Sequence, residues 1–406
     1  MKNPMTRTTT IKKMTTDRNY YCSRKFTELS LTFQSSSISS CCAASPYKID
    51  FVDLEKNGLL NLSVIRNERK QMLSNTRVLS CEKPCWKNED AGLPSIRSIN
   101  GGAEKTHQSA QIDILEQVNI SLGNRCTLTC SYCGPEWSRA WSEDIEKNGE
   151  YNFENSRPSY VLSTENLLFK KLKQNDIYSS SKFQTLYSHL IEHAKTIKVW
   201  YITGGETLLY ETQVLDLIKI SNPNSVFTVM TGLGIPKNKF IRLIDQLRDY
   251  PSFKLGISAE NIGKLHEFNR YGYSFDHLVE LLDYVKTSGI KYQFYSTLSN
   301  LTAFGYVDFV NFVNAEIEEN LCVIPEFLDV QKMDKESKYN LLEVLDKQNN
   351  QQFKILIDLL KSDYEVSPID QKNLATFLQE FSSRRNLDLS IFPKTFLDWL
   401  DIHVVQ

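Results

Sequence analysis

Short apolar segments alternate with amphipathic segments through the middle of the chain, from residue 112 to about residue 330. Strand-length apolar segments lie at 118–122, 198–203, 226–231, 253–258 and 291–298, and a sixth is expected at 321–327. Helical patterns fall between them, with Pro236 expected at a helix start and Gly289 at a helix end. This alternation predicts an α/β fold with a parallel sheet and right-handed crossovers, whose ligands bind where the strands end.

Three cysteines follow the first of these strands. Cys126, Cys130 and Cys133 form the pattern Cys-x3-Cys-x2-Cys. Three thiolates this close can hold three irons of one [4Fe–4S] cube and leave the fourth iron open, whereas an electron-transfer cluster normally takes four cysteines. The alternatives are a zinc site or three unrelated thiols, but zinc usually takes four closed ligands, often with histidine, and no histidine lies near this loop.

The cysteine spacing, the preceding strand and Tyr132 together resemble the radical SAM superfamily. The resemblance implies a partial (β/α)6 barrel in which S-adenosylmethionine (SAM) binds the open iron through its amino and carboxylate groups. One electron from the cluster then cleaves SAM, and the resulting 5′-deoxyadenosyl radical abstracts hydrogen from a substrate. Cys126, Cys130 and Cys133 are therefore the expected catalytic residues and the expected ligands of the cluster.

A glycine pair follows the second predicted strand. Gly204, Gly205 and Glu206 resemble the Gly-Gly-Glu motif of the family, which contacts the amino group of SAM. Glycines let a backbone approach a ligand closely, and a carboxylate can accept a charge-assisted hydrogen bond from an amino group. Thr207 stands where the family usually has proline, so we expect a looser turn.

The resemblance implies further SAM contacts at later strand ends. Thr231, which precedes Gly232, is expected to belong to a cofactor loop after the third strand. Ser258 and Glu260 follow the fourth strand, where family members often bind the ribose hydroxyls. The backbone of Tyr132 is expected at the adenine amino group, although its side chain would serve equally well in packing.

Arg270 is the last residue with an expected SAM contact. It resembles the basic residue that pairs with the SAM carboxylate in the family. The alternative is a surface ion pair with Glu267, three residues earlier, of the kind that contributes little stability. The sequence leaves these two interpretations about equally supported.

A second set of cysteines lies before the middle region. Cys81 and Cys85 are preceded by Cys22 and by the adjacent pair Cys41 and Cys42. Together they resemble the SPASM/twitch module, which implies an auxiliary [4Fe–4S] cluster that accepts an electron from the substrate or binds it. We predict Cys22, Cys42, Cys81 and Cys85 as ligands, with Cys41 turned into the core. The alternative is a structural zinc site.

Bulk properties limit the partners and the location. The 406 residues have a formal charge of −2, with 47 Lys and Arg against 49 Asp and Glu, which gives no electrostatic case for nucleic acid or an anionic membrane. No apolar run reaches the roughly 18 residues of a membrane span. Nine cysteines without a secretory signal indicate a reducing, cytoplasmic location rather than disulfides.

These patterns divide the chain into four predicted regions. We expect a disordered leader at 1–19, a twitch-like module with a linker at 20–111, the partial barrel at 112–330 and a helical extension at 331–406. The predicted function is a radical SAM enzyme acting on a peptide or protein side chain. Its electron donor would be a protein such as flavodoxin or ferredoxin.

Two alternatives to this function stay open, and a third motif is discounted. The first alternative is a radical SAM dehydrogenase of a small molecule. The second is a non-catalytic interaction protein that binds zinc at both cysteine groups. His189 and His193 spell the inverted zinc-peptidase motif His-x-x-Glu-His, but they flank an ordinary apolar stripe and have no evident third ligand.

Overall fold

The computed structural model describes residues 19–90, 95–99, 102, 104–154, 180–322, 324–348, 350–362 and 364–403. The predicted leader at 1–19 lies outside these residues except for Asn19. The strands in this part of the chain are β1 (Glu28–Thr32), β2 (Ser37–Ser39), β3 (Tyr47–Lys48), β4 (Gln117–Ser121), β5 (Thr129–Cys130), β6 (Val199–Thr203), β7 (Val226–Thr231), β8 (Phe253–Ser258), β9 (Arg270–Tyr271), β10 (Lys291–Leu298) and β11 (Ile317–Leu321).

One large sheet organises the described residues. Its strand order is β11-β10-β8-β7-β6-β4-β1-β2-β3. Neighbouring strands from β11 to β1 are parallel, and β2 and β3 continue the sheet in antiparallel fashion. β5 and β9 form a separate antiparallel ribbon. The predicted α/β fold with a parallel sheet is confirmed.

Helices connect the strands and follow the last one. In chain order they are α1 (Arg24–Thr27), α2 (Phe51–Asn57), α3 (Ser63–Leu73), α4 (Lys87–Asp90), α5 (Ile96–Ile99), α6 (Arg139–Asn148), α7 (Ser181–Ile191), α8 (Glu211–Ile220), α9 (Lys237–Leu247), α10 (Gly263–Asn269), α11 (Phe275–Ser288), α12 (Tyr306–Val313), α13 (Lys335–Asp346), α14 (Lys354–Leu360), α15 (Pro368–Arg385) and α16 (Lys394–Trp399). Short 3-10 turns and one π-helical turn, Glu82–Trp86, complete these connections.

Alternating side chains of β6 show why these segments form strands. Trp200 and Ile202 are completely buried, whereas the intervening Tyr201 and Thr203 are half-buried on the opposite face. The ring of Trp200 stacks on Phe227 of the adjacent β7, with 5.6 Å between ring centroids. Cross-strand pairs of this kind hold a sheet in register.

The prediction of the sixth strand was wrong. The strand β11 spans Ile317–Leu321 instead of 321–327, and Glu326–Leu328 forms a 3-10 turn. β11 lies at the edge of the sheet, and its residues Glu318, Asn320 and Leu321 are exposed. An edge strand has less need of apolar residues, so the apolar pattern pointed to the segment after it.

The helix boundaries follow the predicted signals closely. Pro236 immediately precedes α9 as its N-cap residue. The Ser274 side chain accepts a hydrogen bond from the backbone N–H of His277 at the start of α11. Gly289 ends α11 in the left-handed conformation, with φ of 79°.

The N-terminal region joins the sheet of the middle region. Leu29 and Leu31 of β1 are completely buried and lie beside Val118 and Ile120 of β4. Strands from both sides of the predicted boundary at residue 111 therefore belong to one sheet. The division of the chain into four regions remains a prediction.

The helix α15, in the C-terminal region, packs on α6, the helix that follows the first cysteine loop. Phe381 of α15 is completely buried, and its ring lies 5.7 Å from that of Trp141 in α6 and 5.3 Å from that of Phe268. Arg385 Nε donates a hydrogen bond of 2.8 Å to Thr129 Oγ1, next to Cys130. Thus α15 contacts both α6 and β5, the two elements that flank the cysteine loop.

We predict that Phe381→Ala lowers the free energy of unfolding by about 3 to 5 kcal/mol, because it removes a buried aromatic ring from this contact. Gln379→Ala changes an exposed side chain of the same helix and should stay within about 0.5 kcal/mol of the wild type. Urea unfolding of both variants measures the difference. Equal stabilities would show that α15 does not contribute to the fold.

Candidate active site

The three cysteines of the first loop lie between β4 and α6. Backbone and side-chain hydrogen bonds from the start of α6 hold their loop in place. The Ala140 N–H donates to the Cys126 carbonyl at 3.3 Å, and the Trp141 indole N–H donates to the Cys130 carbonyl at 3.0 Å. Ser138 caps the helix and its hydroxyl donates to the Leu128 carbonyl at 2.5 Å. The helix start therefore shapes the loop.

Of the three thiols, Cys130 is buried and Cys126 and Cys133 are half-buried. Burial raises the pKa of Cys126 to about 12, and it raises the pKa of Cys130 to about 11, where Arg270 opposes the effect. Burial also raises the pKa of Cys133. Without a metal these groups are neutral thiols, and a metal must release their protons when it binds.

A cavity opens beside these thiols at the carboxyl ends of the parallel strands. It unites residues of the cysteine loop with residues from the loops and ends of β6, β7, β8 and β10. Its walls are formed by Cys126, Leu128, Cys130, Tyr132, Cys133, Trp137, Gly205, Glu206, Met230, Thr231, Gly232, Ser258, Arg270 and Thr297. Most predicted site residues thus border one cavity, whereas Gly204 and Glu260 lie behind its wall.

The glycine pair after β6 packs directly against the cysteine loop. Gly205 has φ of +53°, and a Cβ atom on it would lie 2.4 Å from the carbonyl oxygen of Arg125. Gly204 has φ of +95°, and its Cβ atom would lie 2.4 Å from Ser121 Oγ. Both positions require glycine for conformation and for space. The turn is accordingly tight, although Thr207 replaces the proline expected there.

Glu206 connects the turn after β6 to the loop after β7. Its carboxylate accepts hydrogen bonds from Thr231 Oγ1 at 2.6 Å, Gly232 N at 3.0 Å, Gly234 N at 3.3 Å and Leu208 N at 3.2 Å. Burial raises the pKa of Glu206, and these donors oppose the rise. The side chain therefore stabilises the cavity wall. Its predicted contact with the SAM amino group stays a prediction.

Arg270 does not make the surface ion pair with Glu267, because Glu267 pairs with Lys264. Arg270 is 5% exposed and forms two hydrogen bonds, of 2.9 and 2.8 Å, with the carboxylate of Glu260. Tyr132 donates its hydroxyl to the same carboxylate at 2.8 Å. Ser258 lies at the cavity, but Glu260 is 1% exposed behind it, so its expected ribose contact stays a prediction.

Three lining residues of the cavity, Leu128, Met230 and Thr297, were missed by the sequence interpretation. Thr297 is the penultimate residue of β10, and its polar side chain at the end of a parallel strand was an available signal. Met230 lies in β7, where an apolar side chain gave no such signal. Trp137, four residues after Cys133, also lines the cavity. Trp141 and Tyr151 instead pack together and against α15.

The second cysteine group lies beside β1 and α3. Cys22, Cys41, Cys81 and Cys85 are each 5% exposed. Burial raises the pKa of Cys22 to about 12, and the charges of Cys41 and Cys81 add to the rise. Burial likewise raises the pKa of Cys85, with a contribution from Cys41. The four thiols are therefore within electrostatic reach of one another.

Cys41 and Cys42 differ in exposure, and the choice between them as a ligand stays a prediction. Cys42 is exposed, whereas Cys41 is 5% exposed, and the Cys42 backbone N–H donates to the buried Glu28 carboxylate at 2.9 Å. Arg24 approaches its sulfur at 3.7 Å. The sulfurs of Cys41 and Cys42 and a carboxylate oxygen of Glu28 lie within 4.8 Å of one another, so the two thiols are neighbours, of which Cys41 is the more buried.

A buried carboxylate holds the segments that carry these cysteines. Glu68 accepts hydrogen bonds from Lys25 at 2.9 Å, from Ser40 at 2.6 Å and from the hydroxyl of Ser80. Ser40 and Ser80 immediately precede Cys41 and Cys81, and Lys25 follows Cys22 by three residues. Burial opposes ionisation, but Lys25 and the two hydroxyls lower the pKa of Glu68. One side chain therefore ties three cysteine segments together.

The two histidines of the discounted peptidase motif do not share a helix. The helix α7 ends at Ile191, so His189 lies within it and His193 lies in the following turn. Within the described ranges, Glu28, Cys41 and Cys42 are the side chains whose potential ligand atoms all lie within 4.8 Å of one another. Neither histidine belongs to such a group, which agrees with the sequence interpretation.

Residues 120–313 match the radical SAM superfamily. The match extends from β4 to the end of α12 and so includes the cysteine loop and the strand ends that form the cavity. This part of the chain is therefore a radical SAM domain, as predicted. The match agrees with the expected enzyme class, and a radical SAM domain implies a [4Fe–4S] cluster and SAM as its cofactors. No curated protein sequence matches the chain.

Several solved structures are similar to this chain. Native anSMEcpe with bound AdoMet has 12% sequence identity and a TM-score of 0.38, and the match covers 60% of this chain and 61% of that one. Streptococcus suis SuiB bound to the precursor peptide SuiA has 13% identity and a TM-score of 0.34, with 86% and 77% covered. The chain thus spans about three fifths of the anSMEcpe structure.

No described helix has the length and apolarity to cross a bilayer.

We predict that Gly205→Ala weakens SAM binding at least tenfold, because the added Cβ collides with the backbone of the cysteine loop. Gly263→Ala is the matched control, since Gly263 also has φ of +53° but its Cβ atom would meet nothing within 4 Å. Both variants incur about 1–2 kcal/mol for the left-handed conformation. Equilibrium dialysis with SAM and urea unfolding compare them. Equal SAM affinities would contradict the proposed packing.

Proposed function

We propose that the protein is a radical SAM enzyme with its cluster at Cys126, Cys130 and Cys133. One observation carries the proposal: these three thiols open onto the same cavity as the glycine turn after β6. When bound, the cluster supplies the electron that cleaves SAM, and the product radical takes hydrogen from an unactivated carbon. The buried walls exclude water from this chemistry.

The spacing of the thiols favours a cluster over zinc. Thiolates around one tetrahedral zinc lie about 3.8 Å apart, because each Zn–S bond is about 2.3 Å long. Within the ranges that the structure describes, Cys126, Cys130 and Cys133 do not lie in a group with ligand atoms all within 4.8 Å of one another. Their wider arrangement suits a cubane, whose irons are separate ligand sites.

The residues of the cavity have separate tasks in this proposal. Gly204 and Gly205 let the turn lie close to the cofactor, and Glu206 holds that turn against the loop of Thr231. Ser258 lies at the end of β8, where a ribose hydroxyl would be within reach of its side chain. The roles of Gly205, Glu206, Thr231 and Ser258 rest on their positions in the cavity wall and on the family resemblance, and that of Gly204 rests on its place in the same turn.

A second [4Fe–4S] cluster is proposed at Cys22, Cys41, Cys81 and Cys85. Support comes from the burial of the four thiols and from Glu68, which holds their segments together. Such a cluster would accept the electron that remains on the substrate after hydrogen abstraction. The reaction would then be a net oxidation.

Both cysteine groups border the same face of the sheet. Register places Tyr201 of β6 on the face that carries Met230 and Ser258 at the cavity. Burial raises the pKa of Tyr201, and charges on Glu318 and Cys42 contribute. We propose that the substrate binds on this face, near both cysteine groups.

The proposed substrate is a peptide or protein side chain, with a small molecule as the alternative. The resemblance of the second cysteine group to SPASM/twitch modules supports this proposal. SuiB and anSMEcpe have been solved with peptides, as their structures' names state. A reducing protein such as flavodoxin or ferredoxin is the proposed electron donor.

We predict that Cys130→Ala abolishes SAM cleavage in anaerobically reconstituted protein reduced with dithionite, because it removes one of three iron ligands. Cys322→Ala should retain cleavage, since Cys322 is a buried thiol after β11, outside the cavity wall. Chromatography of 5′-deoxyadenosine and methionine measures the reaction. Normal turnover by Cys130→Ala would exclude this cluster site. Colourless wild-type protein that contains zinc and leaves SAM intact would favour the non-catalytic alternative.

The two adjacent cysteines give a separate test of the second site. We predict that Cys41→Ala loses about half of the bound iron, because it removes a buried ligand of the auxiliary cluster. Cys42→Ala should keep full iron content, since Cys42 is the exposed member of the pair. Iron and sulfide analysis of both reconstituted variants decides the matter. Iron loss in Cys42→Ala alone would show that Cys42 is the ligand, as the sequence analysis predicted.

A further inference from the structure

A two-stranded ribbon places Arg270 beside the second cysteine of the triplet. The strands β5 and β9 pair in antiparallel fashion, with Arg270 directly opposite Cys130. Next to this pair, the Ser131 N–H donates to the Asn269 carbonyl at 2.9 Å, and the Ser131 hydroxyl donates to Asn269 Oδ1 at 2.7 Å. The backbone thus fixes Arg270 relative to Cys130 before any ligand enters the cavity.

The guanidinium of Arg270 has two different neighbours. Its Nε and Nη2 atoms donate to the Glu260 carboxylate at 2.9 and 2.8 Å, and its Nη1 atom points at Cys130 Sγ at 4.0 Å. Arg270 is 5% exposed and Glu260 is 1% exposed. A buried bidentate pair of this kind leaves the guanidinium little freedom to turn.

Glu260 is itself held from two sides. The Tyr132 hydroxyl donates to it at 2.8 Å, and the Thr297 backbone N–H donates at 3.2 Å. A movement of Arg270 toward a SAM carboxylate would separate it from a buried carboxylate, and leaving a buried charge uncompensated is costly. The observed position therefore suits a fixed charge at the cysteine better than a mobile clamp on SAM.

We propose that Arg270 is a positioning residue for the cluster at Cys126, Cys130 and Cys133. It directs an N–H at the Cys130 sulfur and places a permanent positive charge beside it. Hydrogen bonds to the sulfurs and local charge set the potentials of iron–sulfur clusters. A positive charge favours the more negative, reduced cluster, so Arg270 raises its reduction potential. This inference rests on the proposed function only in requiring an iron–sulfur cluster at the triplet.

The test is a redox titration of reconstituted full-length protein without SAM. The cluster at the triplet is followed by its paramagnetic signal, which is identified by its change when SAM is added to a parallel sample. Arg270→Gln should make one-electron reduction about tenfold less favourable, which corresponds to a midpoint potential lower by about 59 mV. Arg270→Lys keeps the positive charge but lacks the planar guanidinium, so its midpoint potential should lie between those of the wild type and Arg270→Gln.

Glu260→Gln provides the opposite change. It removes the negative partner and leaves the guanidinium beside Cys130, so the midpoint potential should rise. If Arg270→Gln does not take up iron, the direction of the shift in Glu260→Gln decides: an upward shift supports the proposal, and no shift overturns it.

An unchanged potential in Arg270→Gln, with weaker SAM binding as its only effect, would overturn the proposal and favour the SAM carboxylate contact. Failure of the proposed function has a different signature. In that case the wild type itself would hold a cluster and still leave SAM intact, or would hold no cluster at all. The wild-type protein is therefore measured beside every variant.

Discussion

The site depends on the parallel pairing of β4 with β6. This pairing sets Ser121 beside Thr203, so the cysteine loop and the glycine turn leave the sheet at the same edge. The Glu206 N–H then donates to the Arg125 carbonyl at 2.6 Å, which joins the two loops directly. A side chain at Gly205 would occupy the space of that contact. Backbone contacts therefore fix the relative positions of the two loops that border the proposed cofactor site.

Much of the fold and of the candidate site could be predicted because its signals are local. Parallel strands such as β7 and β8 are rich in apolar residues, and Gly289 marks a helix end through its own conformation. The edge strand β11 lacks that apolar pattern, so it was misplaced. The choice between Cys41 and Cys42 could not be made from sequence, because the two residues are adjacent and only the conformation of the turn decides which one is more buried.

Contacts between residues distant in the sequence were the second kind of feature that the sequence could not predict. Arg270 was compared with nearby Glu267, yet its partners are Glu260, held across a loop, and Cys130, which is brought opposite by pairing of β5 with β9. The joining of β1 to β4 was unforeseen for the same reason. That parallel pairing requires the chain to return after more than eighty residues, and no local pattern specifies it.

The charges around the cavity bear on what it can hold. Arg270 offsets the charge of Glu260, whereas Glu206 has hydrogen-bond donors but no basic partner in the part of the chain that the structure describes. Burial raises the pKa of Glu206, so its ionised form is disfavoured without a compensating cation. A ligand that carries a sulfonium and an ammonium group would supply such a charge. Binding of that ligand would then stabilise ionised Glu206, and with it the turn that the same carboxylate holds against the cysteine loop.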